Sequence, residues 1–296
     1  SNFTAPAFTS LFTGLYPNHH RVFDFGAKVR LSPVHEALAR NNVRMGGVVT
    51  FRFFRNLLED IWGELEVVTE GRSFDYAKEL PRAVSDGAVE WLQAHDPSRP
   101  FALFLHYDGP HQPIRLPDQW ADHFGDIPAS AVDPKIVSTF YPQDHERFDN
   151  EESAIVGGVF KTMESIDMGL RRLSPATRQW IIDRYDDAVR YNDAEIGRVL
   201  AALDETGLSE NTLVAVISDH GEELMDHGHI SHGGMHLYES TIRTVAMVRR
   251  PGNRSGVVCD EPISHVQLLP WLLREAGAGD LPAAWRDLDL LAHRGQ

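Results

Sequence analysis

The sequence predicts an α/β fold in which a mostly parallel sheet is covered by helices on both faces. Three observations predict it. Short apolar runs of strand length alternate with longer stretches of helical periodicity, proline, glycine and polar clusters bound the runs, and two of the runs open directly into aspartate and histidine. In open sheets of this kind ligands bind beyond the carboxyl ends of the strands, so the residues released there are the first candidates for function.

Taken in order, residues 6–13 read as a short helix closed by Gly14. "SPVHEALARNN" at 32–42 reads as a helix with Ser32 as cap and Pro33 in its first turn, where a missing N–H costs nothing. "MGGVVT" at 45–50 is a short buried strand, 75–95 a longer helix, and "FALFLHY" at 101–107, an apolar run bounded by Pro100 and Gly109, a buried strand. Residues 112–173 are rich in proline, aspartate, histidine and glycine and lack clean periodicity, which predicts an irregular excursion over the active face. Helical spacing returns with Ser174 as cap and Pro175 behind it; Ile181, Tyr185, Ala188, Val189, Ile196, Val199, Leu200 and Leu203 form its apolar stripe, and Gly207 closes it. A strand at 212–217, another at 244–250 and a helix at 263–277 complete the alternation. No repeat is visible, and residues 1–296 read as a single domain.

Composition narrows the partners. Formal net charge is −15, with 43 acidic against 28 basic residues, only four of the basic ones lysine. A basic surface is the footprint of nucleic-acid binding, so nucleic acid is not an expected partner. No apolar run approaches the ~18–20 residues a membrane span needs, and the expectation is a soluble, cytoplasmic protein. The single cysteine, Cys259 in "GVVCD", excludes an internal disulfide and reads as a small apolar strand residue. Oligomeric state is left open.

Four stretches carry chemistry. In "VAVISDHGEE" a strand releases Asp219 and His220 together, and a carboxylate oxygen beside a neutral imidazole suits zinc, manganese or a harder cation with added oxygens; the alternative is a turn in which Asp219 caps a following helix. "LFLHYDGPHQP" releases His106, Asp108 and His111, with Pro110 and Pro113 expected to hold His111 in extended backbone. "MDHGHISHGGMHLYE" sets His227, His229, His232 and His236 within ten residues, of which at least two read as solvated or structural. Thr4, two residues before Pro6, stands at a helix start where free amides favour an anion; it is either a nucleophile or a helix cap.

In this order the pieces resemble the sulfatase branch of the alkaline phosphatase superfamily. The family carries a Cys/Ser-x-Pro-Ser-Arg stretch followed by Leu-Leu-Thr-Gly-x-Tyr-Pro, and "TAPAFTSLFTGLYPNHHRV" is similar to it through Pro6, Ser10, Leu11, Thr13, Gly14, Tyr16, Pro17 and His20. "SDHGEE", "DHGHISHGGMHLYESTIRTVAMVR" and "HYDGPHQP" resemble its later motifs. The resemblance implies an alkaline phosphatase-like three-layer α/β/α sandwich and a metal-dependent hydrolase of a sulfate or phosphate ester, the substrate being a small molecule, glycan or lipid ester. It sets Thr4 on the nucleophile, Asp219 and His220, with Thr4, on a divalent metal ion (Ca, Mn, Zn or Mg), His111 near the leaving group and His232 near the cation that contacts the transferred group.

The departures carry information. Sulfatases oxidise Cys or Ser to formylglycine, whereas the extra methyl of Thr4 would give a ketone. Phe8 stands at the motif's arginine, and "GGVVTFRFF" lacks the family's lysine. A threonine nucleophile resembles the superfamily's nucleotide phosphodiesterases and phosphoglycerol transferases; a two-metal enzyme with His111 and His232 on a second ion, and a non-catalytic binding relative, are the alternatives. The resemblance also implies that the family's first strand, with one or two acidic metal ligands, and its small C-terminal sheet are missing from residues 1–296.

Overall fold

The computed structural model describes residues 1–24, 33–50, 57–58, 62, 65–67, 80–140, 161–233, 236–253, 255–279, 281 and 285. Ser32, residues 51–55 and the first part of the expected 75–95 helix lie outside them.

Helix α1 spans Thr4–Thr13 and all ten of its residues are buried. Its hydroxyls tolerate this because Thr9 Oγ1 donates to the Ala5 carbonyl at 2.8 Å and Thr13 Oγ1 to the Thr9 carbonyl at 2.6 Å. Phe3 takes the cap position, so Thr4 is the first helical residue and not the cap. Gly14 ends the helix with φ 66°, a conformation that a side chain would strain, and its N–H returns to the Ser10 carbonyl. The short α2 (Pro17–His20) and α3 (Pro33–Arg40) follow.

Strand β1 (Arg44–Val49) lies between β2 (Leu65–Val67) and β3 (Phe101–Leu105), and both pairings are parallel. The parallel connection from β1 to β3 runs through α4 (Leu80–Gln93). Side-chain alternation then assigns the layers. Phe101, Leu103 and Leu105 of β3 meet α4 and the later helix α6 (Pro175–Glu205) through Ala88, Leu92, Val199, Ala202 and Leu203. Ala102 and Phe104 face the other way, onto α1, α3 and the last helix. β4 (Val214–Ile217) presents Val214 to the first group and Ala215 and Ile217 to the second, so it occupies the same middle layer. This is the expected α/β/α arrangement. The last strand, β7 (Ala246–Arg249), pairs antiparallel with β4.

Two expectations about this layer need correction. β3 and β4 form no ladder with one another among the described residues, and a cavity of about 2640 Å³ is lined by both. The residues of both strands are therefore half-buried, whereas the sequence predicts a buried strand for "FALFLHY". Cys259 is exposed and lies outside any strand.

The region 112–173 also departs from its reading. Its described part holds a helix, α5 (Pro134–Phe140), a second helical segment at 161–167 and its own core. Ile114, Leu116, Ile136 and Phe140 pack against Trp180, Ile181 and Ala188 of α6 (Pro175–Glu205). Helix α6 is capped as expected: Ser174 Oγ accepts the Thr177 N–H at 3.0 Å, and Gly207 follows its end with φ 72°. Its stripe is less regular than the spacing predicts. Val189 is exposed, while Asp183, Arg184 and Asp187 are buried. Asp187 takes the amides of His123 and Phe124 at 3.1 and 3.2 Å and pairs with Arg184 at 2.9 Å, which anchors the intervening loop to the helix.

Beyond β4, the hairpin β5–β6 (Glu223–Leu224 with Ile230–Ser231), α7 (Glu239–Ile242) and α8 (His265–Glu275) complete the described chain. α8 opens with a reciprocal capping box between Ser264 and Gln267. No helix among the described residues is long and apolar enough to cross a membrane.

Candidate active site

The residues that follow both chemistry-bearing strands line the cavity. β4 ends at Ile217, and Ser218 is pinned from three sides. Its N–H donates to the Val245 carbonyl at 3.0 Å, its Oγ accepts the Val245 N–H at 2.8 Å, and its carbonyl accepts His265 Nε2 at 3.0 Å. Asp219 and His220 follow. No helix begins there, so the capping alternative for Asp219 is excluded; its Oδ1 accepts the N–H of His220 at 3.0 Å instead. Gly221 allows the next bend, because a Cβ there would lie 2.0 Å from the Ser240 carbonyl oxygen.

His220 is oriented by its own backbone. Its Nδ1 lies 2.8 Å from the Gly221 carbonyl, and a carbonyl only accepts, so Nδ1 carries the proton. Nε2 therefore keeps its lone pair. That nitrogen is 3.2 Å from Thr4 Oγ1 and 3.4 Å from Asp219 Oδ2, which brings together positions 216 residues apart. Burial pushes the His220 imidazole below its ordinary range against the pull of Asp219, so the lone pair is available near neutral pH.

The other two expected residues join the cluster. The His232 ring stacks on His220 with centroids 3.9 Å apart, and His111 meets His232 edge-on at 4.9 Å. His232 Nδ1 lies 3.1 Å from Glu222 Oε2 and 3.2 Å from Oε1. Burial works to lower the His232 pKa, but the carboxylates of Glu222, Asp219 and Asp108 outweigh it and the net shift is upward, which favours the imidazolium. The His111 N–H closes a turn onto the Asp108 carbonyl at 3.0 Å. Burial raises the Asp108 carboxyl, against the opposing effect of His111 and Arg115.

Several site residues were not singled out by the sequence reasoning. Glu222 sits inside the quoted "SDHGEE" stretch, but only the β5–β6 hairpin turns it toward His232. His265 had read only as part of a helix. Thr50 ends the β1 region and meets His106 Nδ1 at 2.7 Å. Burial drives the His106 pKa down to about 3, so His106 is a neutral core group beside the site. Phe8, at the family motif's arginine, packs its ring against Phe104 and His106.

The donors around His220 fit a divalent cation. Ligand atoms ~2.0–2.2 Å from one tetrahedral ion stand ~3.3–3.6 Å apart, close to the 3.2 and 3.4 Å separations of Thr4 Oγ1 and Asp219 Oδ2 from His220 Nε2. Among the described residues, Asp219 and His220 gather no third carboxylate or imidazole with all ligand atoms within 4.8 Å of one another; the group that does so is Asp167, His229 and His236.

Comparison with known proteins points one way. The sulfatase family model matches residues 1–278. An arylsulfatase from Clostridium perfringens is 28% identical over 194 residues, covering 64% of this chain and 37% of that protein. A multifunctional alkaline phosphatase superfamily protein, PehA of Trinickia caryophylli, is 29% identical over 245 residues, covering 79% of this chain and 46% of that one. The chain thus spans less than half the length of these curated relatives. Among solved structures, a phosphonate monoester hydrolase from Silicibacter pomeroyi superposes with a TM-score of 0.67 at 20% identity, over 95% of this chain and 65% of that one. A protein solved in complex with its substrate D-glucosamine-2-N,6-O-disulfate gives 0.63 at 16% identity, over 96% and 68%. At these identities the structures speak for the fold alone.

Proposed function

Because the family model spans residues 1–278, the chain belongs to the sulfatase family, and on that premise we propose that it hydrolyses an ester of sulfate, phosphate or phosphonate with Thr4 as nucleophile. The observation that carries the reading is the approach of Thr4 Oγ1 to His220 Nε2 at 3.2 Å, with Asp219 beside it. Thr4 opens a buried helix, so the first-turn amides and the helix dipole face the incoming anion.

Asp219, His220 and Thr4 would hold a divalent cation. When bound, such an ion supplies Lewis acidity that lowers the pKa of a coordinated hydroxyl and neutralises charge on the ester. The chain's own residues do the rest. Thr4 Oγ1 gives up its hydroxyl proton to water and attacks the central sulfur or phosphorus; a bond forms to Oγ1, and the bond to the leaving alkoxide breaks. His232, whose imidazolium form Glu222 favours, faces the anionic group, and His111 beside it delivers the proton that the alkoxide needs. Water then cleaves the Thr4 ester, releasing the acid and restoring the hydroxyl. Relatives that use formylglycine release the product from a hydrated aldehyde; the methyl on Thr4 Cβ favours direct ester chemistry, and with it phosphodiesters and phosphonates.

The test pairs kinetics with mass spectrometry on aryl sulfate, phosphodiester and phosphonate substrates. Thr4→Ala should reduce kcat by about 10³-fold or more, the scale at which removal of a catalytic nucleophile leaves only residual catalysis. Acid-quenched wild-type protein should carry one sulfuryl or phosphoryl group on the peptide containing Thr4. Wild-type rates in Thr4→Ala would reject the assignment.

A further inference from the structure

The geometry points to a separate cation site, at Asp167, His229 and His236, which takes a zinc-class ion and clamps the loop that carries His232. The three side chains come from two places in the fold. Asp167 ends the helical segment at 161–167, His229 precedes β6 and His236 follows it. One ligand atom from each lies within 4.8 Å of the others. The rings of His229 and His236 stand edge to face with centroids 4.1 Å apart.

Three features single this cluster out from incidental histidines. First, its nitrogens are idle. His229 Nδ1 and both ring nitrogens of His236 are buried and accept or donate no hydrogen bond. A buried polar atom left unpaired is destabilising, and three in one place call for a common partner. Second, the spacing suits an ion better than a proton. His229 Nδ1 lies 3.7 Å from Asp167 Oδ1, too long for a hydrogen bond, yet ligands of one tetrahedral ion stand ~3.3–3.6 Å apart. Third, the ligands are held from behind. Asp167 Oδ1 accepts the Ile230 N–H at 2.8 Å, and the His236 and His229 carbonyls accept Asn2 Nδ2 at 2.9 Å and the Met225 N–H at 2.8 Å. Such outer contacts orient metal ligands.

Two imidazoles and one carboxylate are a donor set for zinc and its neighbours, with the remaining position open to the cavity that all three residues line. The consequence is positional. His232 lies between His229 and His236 in sequence, so an ion there would tie both flanks of His232 to residues 161–167. The inference stands apart from the role of Thr4, since none of its ligands belongs to the Thr4 cluster.

Zinc titration by calorimetry of chelator-treated full chain tests it, with cobalt absorption as a second readout. The background is Asp219→Ala with His220→Ala, which removes the other candidate site. That background should still bind one zinc and show the visible bands of four-coordinate cobalt. Adding Asp167→Asn, which keeps an acceptor for Ile230, or adding His229→Gln with His236→Gln, should weaken zinc by more than the ~10–100-fold typical of outer-shell changes. Circular dichroism checks that each variant is folded, and Asp167→Asn serves if the double variant is not. Zinc lost from the background, or bound equally well after Asp167→Asn, would overturn the site.

Discussion

At the scale of single residues, environment separates the histidines into different jobs. His220 is lowered by burial and keeps a lone pair, whereas His232 is held up by Glu222 despite its burial. Two stacked imidazoles thus have their affinities for a proton pushed apart, which favours a free lone pair on one and the imidazolium form of the other. His106 is the third case. Its pKa falls to about 3 when folded, from an ordinary 6.5. The unfolded chain therefore binds a proton that the native site refuses once the pH drops below about 6.5. Full stability is present above that pH and is lost progressively toward pH 3, by up to ~1.4 kcal/mol per unit. His106→Gln should preserve the contact with Thr50 and remove this component. Urea unfolding at about pH 7.5 and about pH 5 should then show a smaller loss in the variant than in the wild type; equal losses would place the titrating group elsewhere.

At the scale of elements, the site depends on how two strands end. Nothing in the apolar run 214–217 distinguishes it from other core strands. Function enters through the turn behind it, where the Gly221 N–H reaches the Thr241 carbonyl at 2.9 Å and α7 packs against the bend. Gly221→Ala would drive a methyl into the Ser240 carbonyl oxygen. Either the bend or α7 must move, and His220 moves with it. The expected result is a chain destabilised by about 1–3 kcal/mol, the usual cost of overpacking, with loss of turnover well beyond that. Chemical denaturation together with kcat on a phosphonate ester measures both. Unchanged values in both would show that the turn tolerates a side chain. α1 is the complementary element: its hydroxyls bond back to its own turns, which lets a polar helix sit in the core with Thr4 at its leading end.

At the scale of the molecule, charge and packing oppose one another. The net charge of −15 repels itself across a compact body. Screening over a Debye length of ~10 Å at 0.1 M salt should relieve much of this. Raising sodium chloride from about 10 to about 200 mM should lift the melting temperature by about 2–4 °C, the shift that ~1 kcal/mol produces in a chain of this size. A falling melting temperature would mean that attractive ion pairs outweigh the repulsion. The large cavity between β3 and β4 is the other molecular feature, because it exposes the inner edges of both strands to the space that the site opens into.

Much of the fold was legible in the sequence because alternating and helical periodicities are local properties of adjacent residues. The caps at Gly14, Ser174 and Gly207, the strands around 44–49, 101–105 and 214–217, and the release of Asp219 and His220 at a strand end were all read from neighbours. The region 112–173 was not, since its helix at Pro134–Phe140 is held by Trp180 and Ile181 of α6 rather than by periodicity of its own. Nor was the burial of Asp187, which rests on an arginine one turn before it and on two loop amides more than sixty residues earlier. By itself the sequence determined which side chains could do chemistry and on which elements they sit. Only the tertiary structure decided that Thr4 meets His220, that Glu222 raises the proton affinity of His232 and that Asp167 faces His229 and His236, because hydrogen bonding and burial act over a few ångströms of space and take no account of distance along the chain.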